Sequence, residues 1–409
     1  MSYKQIINVS SNKSYFQRVL IAAILDGKML IINNFTYSDD NLVIIDCFLK
    51  LGYSIKLQKD ALLINDRPRS HKEFYKLNIK SSGFAARVLP IILMFETAPI
   101  RIDYDRRVYE RDLKELYNIF NQFGKEINIY GTYLEFYPSI NNRHINKISV
   151  SCEISSQYAT ALLFLQAYYS EFILEIINPN SKQYIDLTMD ILALFGFEYK
   201  NMNYRSITLI NKSIVDLSHI NIEGDWSGAA NLIIMASLLG KATFSNLNIN
   251  STQSDSIIIK LLKDINGKVN IIDDLLVIEK AILTGFDFDA EDCPDLVPAL
   301  VPLALYTNKA CIIRNVERLK FKESDRLNEL ISSYNKLGAN LSYKSNSLQI
   351  NTMNLKYCQL DCKNDHRLAM SYAIAYKLIN PQMQLKVETC VNKSYPMFYE
   401  QANMIEAYE

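Results

Sequence analysis

The sequence predicts an α/β protein of six similar units divided into two domains of three, and three observations carry this. The chain has 409 residues, enough for two or three domains at roughly 100–200 residues each. It is 49% hydrophobic and 22% charged, a composition that buries a core. Glycines 52, 124, 196, 267 and 338 recur at spacings of 72, 72, 71 and 71 residues, each between an apolar helix-like segment and a strand-like run.

Those five segments read LKLGYSIKL, NQFGKEINI, ALFGFEYKN, DINGKVNII and NKLGANLSY. Glycine suits the left-handed position just past a helix end, so each predicts a helix stop followed by a strand. Ahead of each lies an earlier apolar helix and another strand. In order these are RVLIAAIL then KMLIINNF, ARVLPIILMF then APIRIDY, ATALLFLQAYY then FILEIIN, AANLIIMASLL then ATFSNLN, and LVPALVPLALY then ACIIRNV. A sixth helix begins at HRLAMSYAIAYKL, with QLKVETC predicted as its strand. A period near 71 is longer than ordinary solenoid repeats, so two three-unit domains fit better than one linear stack.

Forty-four Lys and Arg against 44 Asp and Glu give zero net charge, which argues against bulk attraction to nucleic acid or an anionic membrane. The apolar run 88–95 is far short of the roughly 18 residues that span a bilayer. The first residues, MSYKQIINVSSNKSYFQ, lack a leader pattern, so the chain is expected to start at Met1 and to be cytoplasmic. Seven scattered cysteines and four unpaired histidines (71, 144, 219 and 366) predict reduced thiols, no metal site and no disulfide framework.

Cations cluster where helices are predicted to begin: Lys13 and Arg18, Arg87 behind Gly83, Arg106, Arg107 and Arg111, Lys320, Lys322 and Arg326, and His366-Arg367 behind Asp365. Helix N-termini already carry about half a positive charge, so cations there are locally costly. An anion at each site would share its charge between free N–H groups and the cation, which predicts convergent phosphate or carboxylate binding. Asp295 and Glu323 stand in similar places. Read alone, Asp295 is a helix cap and Glu323 an ion-pair partner; beside an anion cluster both become acid–base candidates.

Taken in order, these residues resemble the 5-enolpyruvylshikimate-3-phosphate synthase family. The resemblance rests on Lys13-Ser14-x-x-x-Arg18, Ser82-Gly83-x-x-x-Arg87, Glu110-Arg111, Ser155-Ser156-Gln157-Tyr158, Ser181-x-x-Tyr184-Ile185-Asp186 and Glu223-Gly224-Asp225. It continues through Pro294-Asp295, Lys322-Glu323-Ser324-Asp325-Arg326, Asp365-His366-Arg367 and Lys393-Ser394-Tyr395-Pro396. It implies the two-lobed inside-out α/β barrel of enolpyruvyl transferases, six βαβαββ repeats with helices inside and sheets outside. One lobe would comprise residues 1–13 and 223–409, the other 14–222, with helix N-termini of both facing a shared cleft.

The resemblance also implies transfer of the enolpyruvyl group of phosphoenolpyruvate to the 5-hydroxyl of shikimate 3-phosphate by addition and elimination. By resemblance, Lys13, Ser14, Arg18, Ser155, Ser156, Gln157, Ser181, Tyr184, Asp295 and Lys322 bind shikimate 3-phosphate. Lys13, Gly83, Arg111, Gln157, Arg326, Arg367 and Lys393 bind phosphoenolpyruvate. Asp295 and Glu323 would move protons with Lys13 assisting, and neither a metal nor an organic cofactor is implied. The protein is expected to be a monomer whose only partners are its two small substrates. Phe84, Val88, Asp112 and Arg318 depart from the usual family pattern, the first two beside the phosphoenolpyruvate pocket.

Two rivals are weighed. A transferase acting on UDP-N-acetylglucosamine carries Lys-Asn in place of Lys13-Ser14 and a reactive Cys in the stretch 96–110, which here has none. A non-catalytic anion binder of the same fold gains nothing from Asp295 and Glu323 beside its ligand.

Overall fold

The computed structural model describes residues 6–59, 61–65, 72–138, 145–169, 171–351 and 355–407. His71 and His144 lie outside them. The chain forms two compact domains, a terminal one of Met1–Asn12 with Glu223–Glu409 and a middle one of Lys13–Ile222. The first division falls one residue before the expected one. Lys13 begins the Lys13–Asp26 helix and goes with the middle domain, not with the termini.

Among the described residues three four-stranded sheets build the middle domain, and they share one topology. In each, a short edge strand pairs in parallel with the strand after the first helix, followed by two antiparallel strands. The edge pairs are His219–Asn221 on Leu30–Asn33, Tyr75–Asn78 on Ile100–Asp103, and Lys147–Ser151 on Ile173–Ile177. The terminal domain repeats the pattern twice, with Ile6–Asn8 on Gly240–Ser245 and Asp287–Asp289 on Cys311–Arg314. The two crossings thus exchange edge strands: Ile6–Asn8, from before the middle domain, completes a sheet formed after it, and His219–Asn221 completes the sheet of the first unit.

Helices fill the interior of each domain and sheets cover it. All residues of Gly83–Ile92, Trp226–Leu239 and Val297–Leu305 are buried, as their all-round apolar sequences require. The second helices are amphipathic: Glu115–Gln122 buries Leu116, Ile119 and Phe120, one face at helical spacing. Strands such as Cys311–Arg314 alternate buried and exposed residues, the mark of a sheet with one wet face.

Four of the five glycine stops take the left-handed conformation, with φ of 88°, 66°, 89° and 92° at Gly52, Gly124, Gly196 and Gly338. Gly267 does not. Asn266, with φ of 69°, occupies that position instead, one residue earlier. Asparagine is the next best residue there, and its N–H reaches the Lys263 carbonyl as the cap requires. A second expectation also fails. Residues 384–388 form no strand among the described residues, and Thr389–Lys393 is a 3₁₀ turn, so QLKVETC adds no sheet to the sixth unit.

No helix among the described residues is long and apolar enough to cross a membrane. No group of three or more His, Cys, Asp or Glu among them is placed to hold a metal ion. All seven cysteines are free, and Cys362 and Cys390 bring their sulfurs to 3.7 Å.

Candidate functional site

In the middle domain most of the sequence-selected residues lie at helix N-termini, whereas Arg111 follows the C-terminal end of Arg106–Glu110 and not the start of a helix. Ser14 and Arg18 lie one turn apart in Lys13–Asp26, and the Arg18 guanidinium donates back to the Ser14 carbonyl at 2.9 Å. Arg18 is 1% exposed and also donates to Thr188 Oγ1 (2.9 Å), Thr160 Oγ1 (3.1 Å) and the Tyr184 carbonyl (3.5 Å). The rings of Phe84 and Tyr184 flank its guanidinium at 5.3 and 5.5 Å. Every one of these partners is neutral. Burial pulls the Arg18 pKa down to about 10, only partly countered by Tyr184, and the charge persists at neutral pH.

Ser155 Oγ accepts from the Gln157 N–H at 3.3 Å, and buried Ser156 precedes the Gln157–Tyr168 helix as its cap residue. Ser181 caps Lys182–Leu194 in a left-handed conformation, φ 50°, and its carbonyl accepts from the Tyr184 N–H at 3.1 Å. Ser82 Oγ accepts from the Ala85 N–H, starting the helix that opens on Gly83. A Cβ on Gly83 would lie 2.5 Å from Arg111 Nη1, so the absent side chain leaves the space that the Arg111 guanidinium fills. Lys13 Nζ meets Asp40 Oδ2 at 2.8 Å.

The terminal domain is wired differently. Arg326, fully buried at the first turn of Arg326–Lys336, faces three carboxylates. It donates to Asp365 (2.8 and 3.2 Å), to Asp295 Oδ1 (2.8 Å) and to Glu323 Oε2. Lys322 Nζ lies 3.2 Å from Asp295 Oδ1, and Arg367 reaches the Asp295 carboxylate at 3.6 Å and its carbonyl at 3.0 Å. Asp365 in turn caps the His366–Ile379 helix through the Arg367 N–H and accepts from Ser324 Oγ. Lys393, 8% exposed, ends a separate 3₁₀ turn.

Burial by itself would raise the Asp295 pKa, but Arg367, Lys322 and Arg326 outweigh it and hold the carboxyl well below its ordinary range. Burial lowers the Lys322 pKa, with Asp295 opposing and Arg318 and Arg326 adding to the fall. Neighbouring Asp255, fully buried beside Ser227, is pushed up to about 6 by burial, against the pull of Arg367.

One of the two carboxylate readings changes here. Asp295 is not a helix cap: it sits in the 3₁₀ turn Pro294–Leu296 with its carboxylate on the cations. Glu323 does form the expected ion pair, with the neighbouring Arg326. Arg326 is met by the protein's own carboxylates, so it needs no external anion to complete its helix start, whereas the described hydrogen-bond partners of Arg18 carry no charge. The sequence placed Arg87 among the helix-start cations without assigning it to either substrate and gave Asp255 no role; Gln157 lies 70 residues from Arg87, and Ser227 lies 28 from Asp255.

The sequence model of the EPSP synthase (3-phosphoshikimate 1-carboxyvinyltransferase) family matches residues 2–402. A 3-phosphoshikimate 1-carboxyvinyltransferase of Clostridium perfringens is 31% identical over 402 residues, covering 96% of this chain and 94% of its own. One from Clostridium botulinum is 32% identical over 408 residues, covering 96% and 93%. Among solved structures, EPSP synthase from Acinetobacter baumannii superposes with a TM-score of 0.76 at 19% identity, covering 99% of this chain and 96% of that one. The enolpyruvyl transferase NikO from Streptomyces tendae gives 0.72 at 13% identity, covering 99% and 95%. The likeness of fold and the match along the sequence agree, and the chain belongs to the EPSP synthase family.

Proposed function

We propose that the protein transfers the enolpyruvyl group of phosphoenolpyruvate to the 5-hydroxyl of shikimate 3-phosphate, releasing phosphate. The observation that carries this reading is Arg18: a buried cation held by neutral oxygens and ringed by Ser14 and Tyr184 suits an anionic, hydroxylated ligand. Ser155, Ser156, Ser181 and Lys322 complete that ligand set, and Gln157 serves both substrates. Lys13, Gly83, Arg111, Arg326, Arg367 and Lys393 hold phosphoenolpyruvate, whose phosphate and carboxylate need several cations.

The chemistry follows from the carboxylates. Glu323 gives a proton to the methylene carbon, C2 becomes electrophilic, and the 5-hydroxyl oxygen bonds to it as Asp295 takes the hydroxyl proton, with Lys13 assisting. The ketal so formed expels phosphate, which takes up the proton held by Asp295, as a methyl proton returns to Glu323 and the double bond is regenerated. Asp295 is a weak base while Lys322, Arg326 and Arg367 face it. An anionic substrate that draws on those cations raises its basicity when the hydroxyl must lose its proton. Acting on small substrates, the protein works as a cytoplasmic monomer, without nucleic acid, membrane or cofactor.

Phosphate release measured with phosphoenolpyruvate and each acceptor tests this. Release with shikimate 3-phosphate and none with UDP-N-acetylglucosamine is expected; the reverse, or release with neither, would defeat the reading.

A further inference from the structure

Arg87 is the second buried arginine of the middle domain, 3% exposed, and its described partners are also neutral. It lies one turn into Gly83–Ile92 and joins three separate pieces of chain. Nη2 donates to the Arg111 carbonyl at 2.7 Å, and Nη1 donates to Gln157 Oε1 at 3.1 Å and to the Gly83 carbonyl at 3.5 Å. The guanidinium carbon stands 5.8 Å from the centre of the Tyr158 ring, whose hydroxyl donates to the Asp112 carbonyl at 3.2 Å. The turn at 111–112 is thereby tied to the start of Gln157–Tyr168 twice. Asp112 is left-handed, φ 57°, its carboxylate accepting from the Lys114 N–H at 2.9 Å as aspartates in such turns do.

The chemistry of these bonds has a direction. A guanidinium has only donors, so the Gln157 atom facing it must be the amide oxygen. The amide NH₂ then points away from Arg87 and is available to an anion. Without Arg87 the amide is free to turn its oxygen toward the same anion, which repels it. We propose that Arg87 is a positioning residue for phosphoenolpyruvate: it fixes Gln157 as a hydrogen-bond donor and holds the backbone from which Arg111 reaches out. This rests on the reading that Gln157 and Arg111 bind phosphoenolpyruvate.

Arg87→Gln and Arg87→Lys, compared with wild type for both Michaelis constants and melting temperature, test it. Arg87→Gln should raise KM for phosphoenolpyruvate about tenfold, the loss expected for a charge-assisted bond. KM for shikimate 3-phosphate, which Gln157 also contacts, should rise by a smaller factor, because Arg111 is assigned to phosphoenolpyruvate alone. Arg87→Lys should fall between, since one ammonium cannot reproduce the planar fork across both acceptors. On a Gln157→Ala background the effect of Arg87→Gln should shrink to about threefold or less, because the amide it orients is gone. An arginine that only supports the fold would move both constants by the same factor. That result, an unchanged KM for phosphoenolpyruvate, or fully multiplicative effects with Gln157→Ala would overturn the proposal. Should Arg87→Gln fail to fold, Arg87→Lys keeps the charge and carries the same comparison. A wild-type protein that releases no phosphate defeats the functional reading instead, so the two failures are distinct.

Discussion

Arg326 shows how one side chain serves both fold and site. It compensates Asp295, Glu323 and Asp365, so Arg326→Ala would leave the buried Asp365 and two partly buried carboxylates facing one another. Breaking such a pair costs about 3–5 kcal/mol, and the variant should melt well below wild type before any kinetic effect is read. A change in KM for phosphoenolpyruvate with an unaltered melting temperature would show that the cluster does not hold the domain. Glu323, whose side chain is 19% exposed, is the cleaner probe of chemistry. Glu323→Gln keeps a hydrogen-bond acceptor for Arg326 but cannot deliver a proton to carbon. Turnover should fall by about a hundredfold, the range of a lost general acid, with Michaelis constants little changed. Wild-type turnover would leave Glu323 as an ion-pair partner only.

Helix ends are the scale at which this sequence is most readable. A glycine stop is visible because one residue type solves a backbone problem, as at Gly52 and Gly338. The same logic makes Asn266 a test: Asn266→Ala should lower stability by about 1 kcal/mol, the cost of a side chain in the left-handed region, while Asn266→Gly should not lower it. Equal loss in both, measured by chemical denaturation, would refute the cap. At the other end, Gly83→Ala places a methyl where Arg111 lies, 2.5 Å from Nη1. The guanidinium tip must shift, so KM for phosphoenolpyruvate should rise several-fold, with little change in melting temperature. Elsewhere the sequence was silent for physical reasons. Ile6–Asn8 is three residues long, too short to show alternation, and its partner Gly240–Ser245 lies on the far side of the middle domain in sequence. The site divides the same way. Lys322, Glu323 and Arg326 are legible as one local motif, whereas Arg87 and Gln157 meet across 70 residues and no pattern announces it. QLKVETC shows the opposite error, a strand-like sequence that gains no strand partner among the described residues.

For the molecule as a whole, the charges of the terminal domain set how stability varies with pH, and two aspartates act in opposite senses. Asp295 has a depressed folded pKa, so its contribution is present above the ordinary carboxylate range and is lost as pH falls through the folded value. Asp255 is the reverse. Its carboxyl is fully buried and pushed up to about 6, burial being the chief cause, with Arg367 and the Ser227 hydroxyl opposing and Asp295 and Asp225 adding. The folded protein therefore holds this proton more tightly than the unfolded chain. Below the unfolded value of 3.8 both states are protonated and nothing is lost; between there and about 6 the unfolded state releases its proton first, and stability declines as pH rises. A rise of roughly two units corresponds to about 3 kcal/mol, an upper figure for the cost above pH 6. Asp255→Asn removes the titration while keeping an acceptor for the Ser227 hydroxyl. The variant should match wild type in denaturant unfolding near pH 4 and exceed it at pH 7.5, with the gap opening between those values. A variant less stable than wild type at pH 7.5 would mean that Asp255 works as an ionised partner of Arg367, and that the cations of this domain depend on a fourth carboxylate.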